Sequence, residues 1–164
     1  MKQIWAPWRM EYIHENLDKD KVCIFCSLPE ENQDEKNFIL HRGSHCFIIM
    51  NIFPYNTGHI MVSPYRHVSC ITLFTEDEMT DMNRLIQKSV QIMREVISPE
   101  GFNVGINIGK AGGAGIDEHI HQHIVPRWNG DTNYMPVLAD TKIHPEHLRA
   151  TYKKMLPHFQ SIAS

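Results

Sequence analysis

A chain of 164 residues with 42% hydrophobic and 21% charged residues has the size and composition of one soluble globular domain. Its net charge of −3 gives no general attraction to nucleic acid or to an anionic membrane surface. No apolar run approaches the roughly 20 residues of a membrane span, and the opening MKQIWAPWRMEYI lacks the apolar core of a signal peptide. We therefore expect a cytoplasmic protein with four reduced cysteines that binds neither nucleic acid nor membrane.

The first half of the sequence predicts an arm, a cysteine pair and a β-hairpin. Residues 1–20 form the arm, whose two tryptophans flank a proline and pack either on the same domain or on a second copy. A C-x₂-C pair then leads into a charged loop, SLPEENQDEKNF. HCFIIMNI and HIMVSPY are predicted strands, and the turn-rich FPYNTG between them indicates a hairpin.

The second half predicts two main helices and two further strands. Thr75 and Glu78 form a capping-box signature, and apolar residues at helical spacing follow as far as Ser98. FNVGINI is a third strand, followed by a glycine-rich turn and a strand that carries three histidines. Residues 145–164 form a C-terminal helix that begins at Pro145 and is interrupted near Pro157. Residues 1–164 are thus predicted to form a single α+β domain, an antiparallel sheet flanked by two main helices.

Cys23 and Cys26 are spaced so that two thiolates could share one metal ion. Redox sites use the same spacing, but no βαβ pattern adjoins it here, and two buried reduced thiols are a further alternative. A metal site would need two more ligands from distant parts of the sequence. His67, after a predicted strand, and His119, the first of the three histidines, are the best placed. Together the four residues would form a closed, structural Cys₂His₂ zinc site.

His119, His121 and His123 occupy alternate positions, and alternate side chains of a strand share one face. Successive imidazoles would then lie about 6.6 Å apart. The row could be an ordinary solvated or core strand, or a catalytic metal site with an open coordination position. It could also be a covalent catalyst in which one imidazole nitrogen is the nucleophile. In that case the flanking histidines would serve an anionic group attached to the middle one.

The run GKAGGAG lies shortly before the histidines. Glycines let backbone amides approach an anion, although simple turn glycines would give the same pattern. The run is not a P-loop, because GINIGKA is one residue short of the required spacing and lacks the following Ser or Thr. A glycine turn beside a histidine row indicates a phosphate held next to a nucleophile.

The segment HIHQHIV resembles the histidine triad motif, in which three alternating histidines precede apolar residues. The chain is similar to the histidine triad (HIT) superfamily of nucleotide hydrolases and transferases over nearly its whole length, including CIFC, MNIFPYNTGHIMVSPYRHV and GINIGKAGGAGIDEHIHQHIVPRW. IWAPWRMEYI and PRWNGDTN resemble the bacterial diadenosine tetraphosphate (Ap4A) phosphorylase-like branch. The resemblance implies a HIT-like fold, adenosine nucleotide substrates and a homodimer, which the Trp-rich arm also supports.

The resemblance implies a role for each histidine. His121 would attack the α-phosphorus of a nucleotide and carry the nucleotidyl group as a phosphoramidate. The backbone carbonyl of His119 would hold the proton on the other nitrogen of that ring. His123 would contact the phosphate, and His59 matches the fourth histidine of the family's site.

The resemblance also implies substrate and metal ligands. Asn51 matches the ribose-binding position, and Trp128 lies where this branch places an aromatic residue near the substrate. The phosphate-binding segment matches Asn107, Gly113, Ala114 and Gly115. The ligands of zinc-bearing relatives match Cys23, Cys26, His67 and His119, the set that the spacing also favours.

The chain departs from the family pattern at two places. Gly115-Ile116 stands where many members have Gln-Ser or Gln-Thr, so the hydroxyl that would contact phosphate or assist the leaving group is missing. The histidines are separated by isoleucine rather than by the proline of galactose-1-phosphate uridylyltransferases, which disfavours a sugar-nucleotide reaction.

The favoured hypothesis is an enzyme that cleaves a phosphoanhydride or phosphoramidate bond next to a nucleoside, in two displacements through His121. Ap4A with phosphate as acceptor is the favoured pairing, and water as acceptor would make the enzyme a hydrolase. The alternatives are a non-catalytic nucleotide-binding module that acts through a partner and a catalytic metal site built from the three histidines.

Overall fold

The computed structural model describes residues 22–131 and 146–162. The predicted arm, residues 1–20, and the predicted helix start at Pro145 lie outside the described residues. The helices are α1 (Ile24–Glu30), α2 (Asp34–Asn37), α3 (Glu76–Ile97) and α4 (Leu148–Gln160), with 3₁₀ turns at Ile71–Leu73 and Lys110–Gly112. The strands are β1 (Ile39–Arg42), β2 (Cys46–Met50), β3 (Ile60–Pro64), β4 (Gly101–Ile106) and β5 (Gln122–Arg127).

The five strands form one antiparallel sheet in the order β1-β2-β3-β5-β4. The predicted hairpin is confirmed, because β2 and β3 pair along their whole length from Cys46 opposite Pro64 to Met50 opposite Ile60. Strand β5 lies between β3 and the edge strand β4, and Met61 of β3 and Gly105 of β4 both pair with His123. The α+β architecture predicted from the sequence is therefore confirmed.

The two long helices cover one face of the sheet. Their apolar stripes and the strand residues beneath them form the larger core, which includes Ile48, Ile60, Val62, Met82, Leu85, Met93, Ile124, Tyr152, Met155 and Phe159. Helix α1 packs on the opposite face, where Phe25, Ile39, Phe47, Ile49 and Met61 form a second buried cluster. Since paired residues of neighbouring strands point to the same face, His123 lies on the α1 side with Met61.

The structure differs from the predictions in three segments. The predicted charged loop instead contains the second half of α1 and all of α2, and β1 begins directly after it. The prediction that the three histidines share a strand is wrong, because β5 begins at Gln122 and only His123 belongs to it. Helix α4 also continues through Pro157, within its last turn, because the helix buries Met155 and Phe159 on either side of the proline.

No helix in the described ranges is both long enough and apolar enough to cross a membrane.

The capping box of α3 also fixes the segment after β3. The Thr75 side chain accepts a hydrogen bond from the Glu78 amide (3.2 Å), and the Glu78 carboxylate accepts one from the Thr75 amide (2.8 Å). The same carboxylate binds Arg66 through two hydrogen bonds of 2.8 and 2.6 Å. The Arg66 guanidinium, with the Thr75 hydrogen bonds, lowers the pKa of Glu78 to about 2 against the opposing effect of burial. The ion pair thereby anchors the residue next to His67.

We expect Glu78→Gln to lower the free energy of unfolding at pH 7 by about 1–3 kcal/mol, because it removes the charge-assisted partner of Arg66 and weakens the cap. A carboxylate whose pKa is lower in the folded state stabilises the fold above its unfolded pKa, and this stabilisation disappears as the pH falls toward 2. The wild type should therefore lose stability between about pH 4.5 and 2, and the variant should lose less. Urea unfolding followed by circular dichroism measures both effects. Glu76→Gln, at an exposed position in the same helical turn, is the control, and equal effects of the two substitutions would contradict the interpretation.

Candidate functional site

The segment His119–His121 is fixed against the end of β3. The Ile120 amide donates to the carbonyl of Val68 (2.7 Å), and the Ile120 carbonyl accepts from the buried Ser63 hydroxyl (3.1 Å). The fully buried His119 ring pairs through Nε2 with the carbonyl of Pro64 (2.9 Å). These bonds occupy backbone groups that a β-ladder would otherwise use, which explains why β5 starts only after His121.

The bond to Pro64 determines which nitrogen of His119 carries the proton. A carbonyl accepts only, so Nε2 carries the hydrogen and Nδ1 of the neutral ring keeps its lone pair. Nδ1 faces the Sγ atoms of Cys23 (3.3 Å) and Cys26 (3.5 Å). Burial lowers the pKa of His119 to about 4, so that the ring is neutral near pH 7. Its Nδ1 lone pair is therefore available to a metal ion.

The four predicted metal ligands converge. Nδ1 of His67 lies 3.3 Å from the Cys26 Sγ, and the four donor atoms of Cys23, Cys26, His67 and His119 all lie within 4.8 Å of one another. Ligands of a tetrahedral zinc ion at 2.0–2.3 Å are separated by about 3.3–3.8 Å, and the contacts of 3.3–3.5 Å between the thiols and the two histidines match that spacing. Burial and the neighbouring Cys23 raise the pKa of the Cys26 thiol to about 11. The Cys26 thiol therefore stays protonated unless a cation stabilises its thiolate.

His121 presents a free ring nitrogen. Its Nδ1 lies 2.9 Å from the carbonyl of His119, which can only accept, so the hydrogen is on Nδ1 and the Nε2 lone pair is free. Burial lowers the pKa of this ring, which is 5% exposed, although the bond to the His119 carbonyl opposes the shift. A neutral imidazole with a fixed Nδ1–H is the form that can act as a nucleophile.

Two further histidines form a relay beside that ring. The Tyr55 amide donates to Nδ1 of the buried His59 (3.0 Å), so His59 carries its hydrogen on Nε2. That nitrogen lies 2.9 Å from Nδ1 of His123 and donates to it, which leaves the hydrogen of His123 on Nε2. Burial, with a smaller contribution from His121, lowers the pKa of His123 to about 4. The His123 ring lies edge-on to the His121 ring, with the two ring centroids 4.9 Å apart.

The glycine-rich loop follows β4 at the end of the sheet where His121 precedes β5. Ile106 pairs with Gln122, so Asn107 follows β4 where His121 precedes β5. The amides of Gly113 and Ala114 donate within the turn, to the carbonyls of Lys110 (3.0 Å) and Gly109 (3.3 Å), and the Asn107 side chain donates to Gly113 (3.4 Å).

Gly115 lies just beyond these internal bonds. A Cβ atom at this residue would meet no atom within 4 Å, so the backbone is open to a ligand.

Asn51 and Trp128 have different relations to the histidines. Asn51 follows β2 and lies beside His59, with its Oδ1 accepting from the Phe53 amide (2.8 Å) and its Nδ2 3.4 Å from the His59 Nδ1. Trp128 follows the far end of β5, five residues or about 17 Å along the chain from His123. Its indole N–H donates to the carbonyl of Ser98 (3.1 Å). The structure therefore brings Asn51, but not Trp128, to the histidine cluster of the same chain.

Three residues at the site were not predicted from the sequence. Ser63 and the amide of Tyr55 act through single hydrogen bonds, and the Phe25 ring stacks on His121 at 4.6 Å. Of these, only Phe25 gave any signal, because it lies between the two cysteines of the C-x₂-C pair.

The catalytic metal site built from three histidines is not formed. Among the described residues the convergent donor group includes His119 and neither of the other two.

A family model described as the HIT domain matches residues 32–130, so the chain belongs to the HIT family. It is 35% identical over 158 residues to the AP-4-A phosphorylase of Mycobacterium tuberculosis, and the match covers 92% of this chain and 80% of that protein. It is also 31% identical over 93 residues to the asymmetrical bis(5'-nucleosyl)-tetraphosphatase of Schizosaccharomyces pombe. That match covers 57% of this chain and 50% of the yeast protein. A Zn-bound histidine triad family protein from Mycobacterium smegmatis has the same fold, with a TM-score of 0.67 and 24% identity over 84% of this chain and 93% of that chain.

Proposed function

We propose that this protein transfers or hydrolyses nucleotidyl groups of dinucleoside polyphosphates such as Ap4A through a covalent intermediate on His121. The observation that carries the proposal is the hydrogen bond between Nδ1 of His121 and the carbonyl of His119, which leaves a neutral Nε2 free on a buried ring. The names of the phosphorylase and tetraphosphatase relatives support this substrate class.

The first displacement forms a bond between Nε2 of His121 and the α-phosphorus of Ap4A. The bond from this phosphorus to the bridging oxygen breaks, and the oxygen keeps the electron pair as ATP leaves. The ring carries a positive charge in the intermediate, which the carbonyl of His119 stabilises through the Nδ1–H bond. The Nε2–H of His123 donates to the phosphoryl oxygens, and Asn107 and the Gly115 backbone contact the phosphate.

The second displacement regenerates the free imidazole. An oxygen of inorganic phosphate attacks the same phosphorus, the bond to Nε2 breaks, and the product is ADP. With water as the attacking group the product is AMP. Phosphate is the favoured acceptor because the chain is similar to a phosphorylase over 92% of its length. Splitting the transfer into two displacements is the general advantage of covalent catalysis.

We expect Ap4A and phosphate to yield ATP and ADP, and His121→Ala to lower this rate on the order of 1,000-fold or more. Chromatography of the products with and without phosphate distinguishes phosphorolysis from hydrolysis. An acid-labile nucleotidyl adduct should form in the wild type only. His158→Ala, at an exposed position of α4, is the control. Ap4A binding that survives His121→Ala, together with no turnover by the wild type, would instead establish a binding module.

We also propose that Cys23, Cys26, His67 and His119 hold a structural zinc ion. The convergent donor atoms and the fixed proton on His119 support the proposal. The ion would hold together α1, the segment after β3 and the residues before β5, and it would keep both thiols ionised.

Metal analysis of the purified protein should find about one zinc per chain, and a chelator should lower the thermal midpoint. Cys26→Ser should lose the metal, because it removes a ligand with short distances to both histidines. Cys70→Ser, outside the cluster, should keep it. A wild-type protein without metal, or equal loss in the two variants, would contradict the proposal.

We further propose a homodimer that forms along β4. Strand β4 is an edge of the sheet, and its sequence, GFNVGI, contains no charged residue and no proline to prevent pairing with another strand. Val104 is 43% exposed on it. A second copy of β4 could pair antiparallel about a two-fold axis, since one strand is complementary to itself in that geometry.

Val104→Lys should shift the protein toward monomer in analytical ultracentrifugation, because like charges would meet across the two-fold axis. Leu73→Lys, which changes a residue that is 52% exposed on a 3₁₀ turn, should leave the sedimentation coefficient unchanged. A wild-type protein that sediments as a monomer at micromolar concentration would contradict the proposal.

A further inference from the structure

Phe25 packs against the ring that carries the free nitrogen. Its ring centroid lies 4.6 Å from that of His121 with an interplanar angle of 27°, a stacked geometry. It also contacts the His119 ring at 5.4 Å and 47°. Phe25 is only 1% exposed, so it cannot touch a substrate and any effect on the reaction must act through the histidines.

The backbone around Phe25 holds this ring in place. Phe25 belongs to α1, and the amides of Cys26 and Ser27 both donate to the carbonyl of Cys23 at 3.0 Å, which shapes the turn around it. Phe25 also belongs to the buried cluster that includes Phe47 and Met61. Its position is therefore fixed by the turn and by the surrounding core.

Three contacts orient the His121 imidazole. The hydrogen bond to the carbonyl of His119 decides which edge of the ring faces the backbone, but a single hydrogen bond leaves the ring plane free to tilt. The stacked face of Phe25 restricts that tilt, and the edge contact with His123 restricts it further. The direction of the Nε2 lone pair then follows, and an in-line displacement depends on that direction.

We propose that Phe25 is a positioning residue that sets the plane of the His121 imidazole for nucleotidyl transfer. This inference rests on the proposed function of His121, but the geometry it describes is measurable in the substrate-free protein.

The test compares Phe25→Leu with Phe47→Leu. Both residues are fully buried in the same cluster, and each loses a ring, but Phe47 stacks on Tyr65 (5.4 Å, 26°) rather than on a histidine. The two variants should therefore lose similar stability. Only Phe25→Leu should lower kcat for Ap4A, by about tenfold, with KM within about twofold of the wild type. If Phe25→Leu does not fold, the more flexible Phe25→Met gives the same comparison.

Nitrogen-15 NMR of the histidine side chains provides the readout without substrate. In the wild type and in Phe47→Leu, the Nδ1 proton of His121 should exchange slowly with water. In Phe25→Leu it should exchange at least about tenfold faster, because a ring that tilts breaks its hydrogen bond more often. Phe25→Tyr, which keeps the aromatic ring, should restore the slow exchange.

Equal losses of kcat in the two leucine variants, or unchanged proton exchange in Phe25→Leu, would overturn the inference and leave Phe25 as a core residue only. Absence of turnover in the wild type would instead overturn the proposed function, while the exchange measurement would still test the positioning.

Discussion

The site depends on the attachment of residues 119–121 to the end of β3. Buried backbone groups must find partners, and here the partners are Ser63, Pro64 and Val68. This attachment aims the ring of His119 at the cysteine pair and its carbonyl at His121. One residue thus contributes its side chain to one centre and its backbone to another. A displacement of this segment would disturb both centres together.

Backbone groups determine the proton positions of His59, His119 and His121, and His59 in turn determines that of His123. Each ring that bonds to a carbonyl must donate, and the ring that receives the Tyr55 amide must accept. Burial lowers the pKa values of His119, His121 and His123, so these rings remain neutral near pH 7. A neutral ring with one hydrogen has one nitrogen that keeps its lone pair. In His119 that nitrogen faces the cysteines, and in His121 it is the nitrogen that does not bond to the carbonyl of His119. The same two effects, burial and a backbone partner, therefore give a free nitrogen that faces the cysteine pair in His119 and a free nitrogen opposite a backbone hydrogen bond in His121.

Long elements with strong local signals were predicted correctly from the sequence. The α3 helix has its capping box at Thr75, and the β2–β3 hairpin has its turn residues between two apolar runs. Short elements were missed, because α1, α2 and β1 are only four to seven residues long and too short to show a period. Their stability comes from burial of residues such as Phe25 and Ile39 against the sheet, which no local pattern encodes. The prediction for the histidine segment failed because an alternating pattern predicts a strand, whereas the tertiary hydrogen bonds to β3 ended the strand earlier.

The sequence by itself determined the chemical inventory of the site. The spacing of Cys23 and Cys26, the alternating histidines and the glycine run identified the groups that metal binding and phosphate chemistry require. Only the tertiary structure decided how these groups are divided. It joined His119 to a cysteine pair 93 residues away and left His121 with a free nitrogen under the ring of Phe25. The physical reason is that spacing along a chain fixes which side chains can be neighbours on one element. Proton positions and ring orientations depend on hydrogen-bond partners that other elements supply.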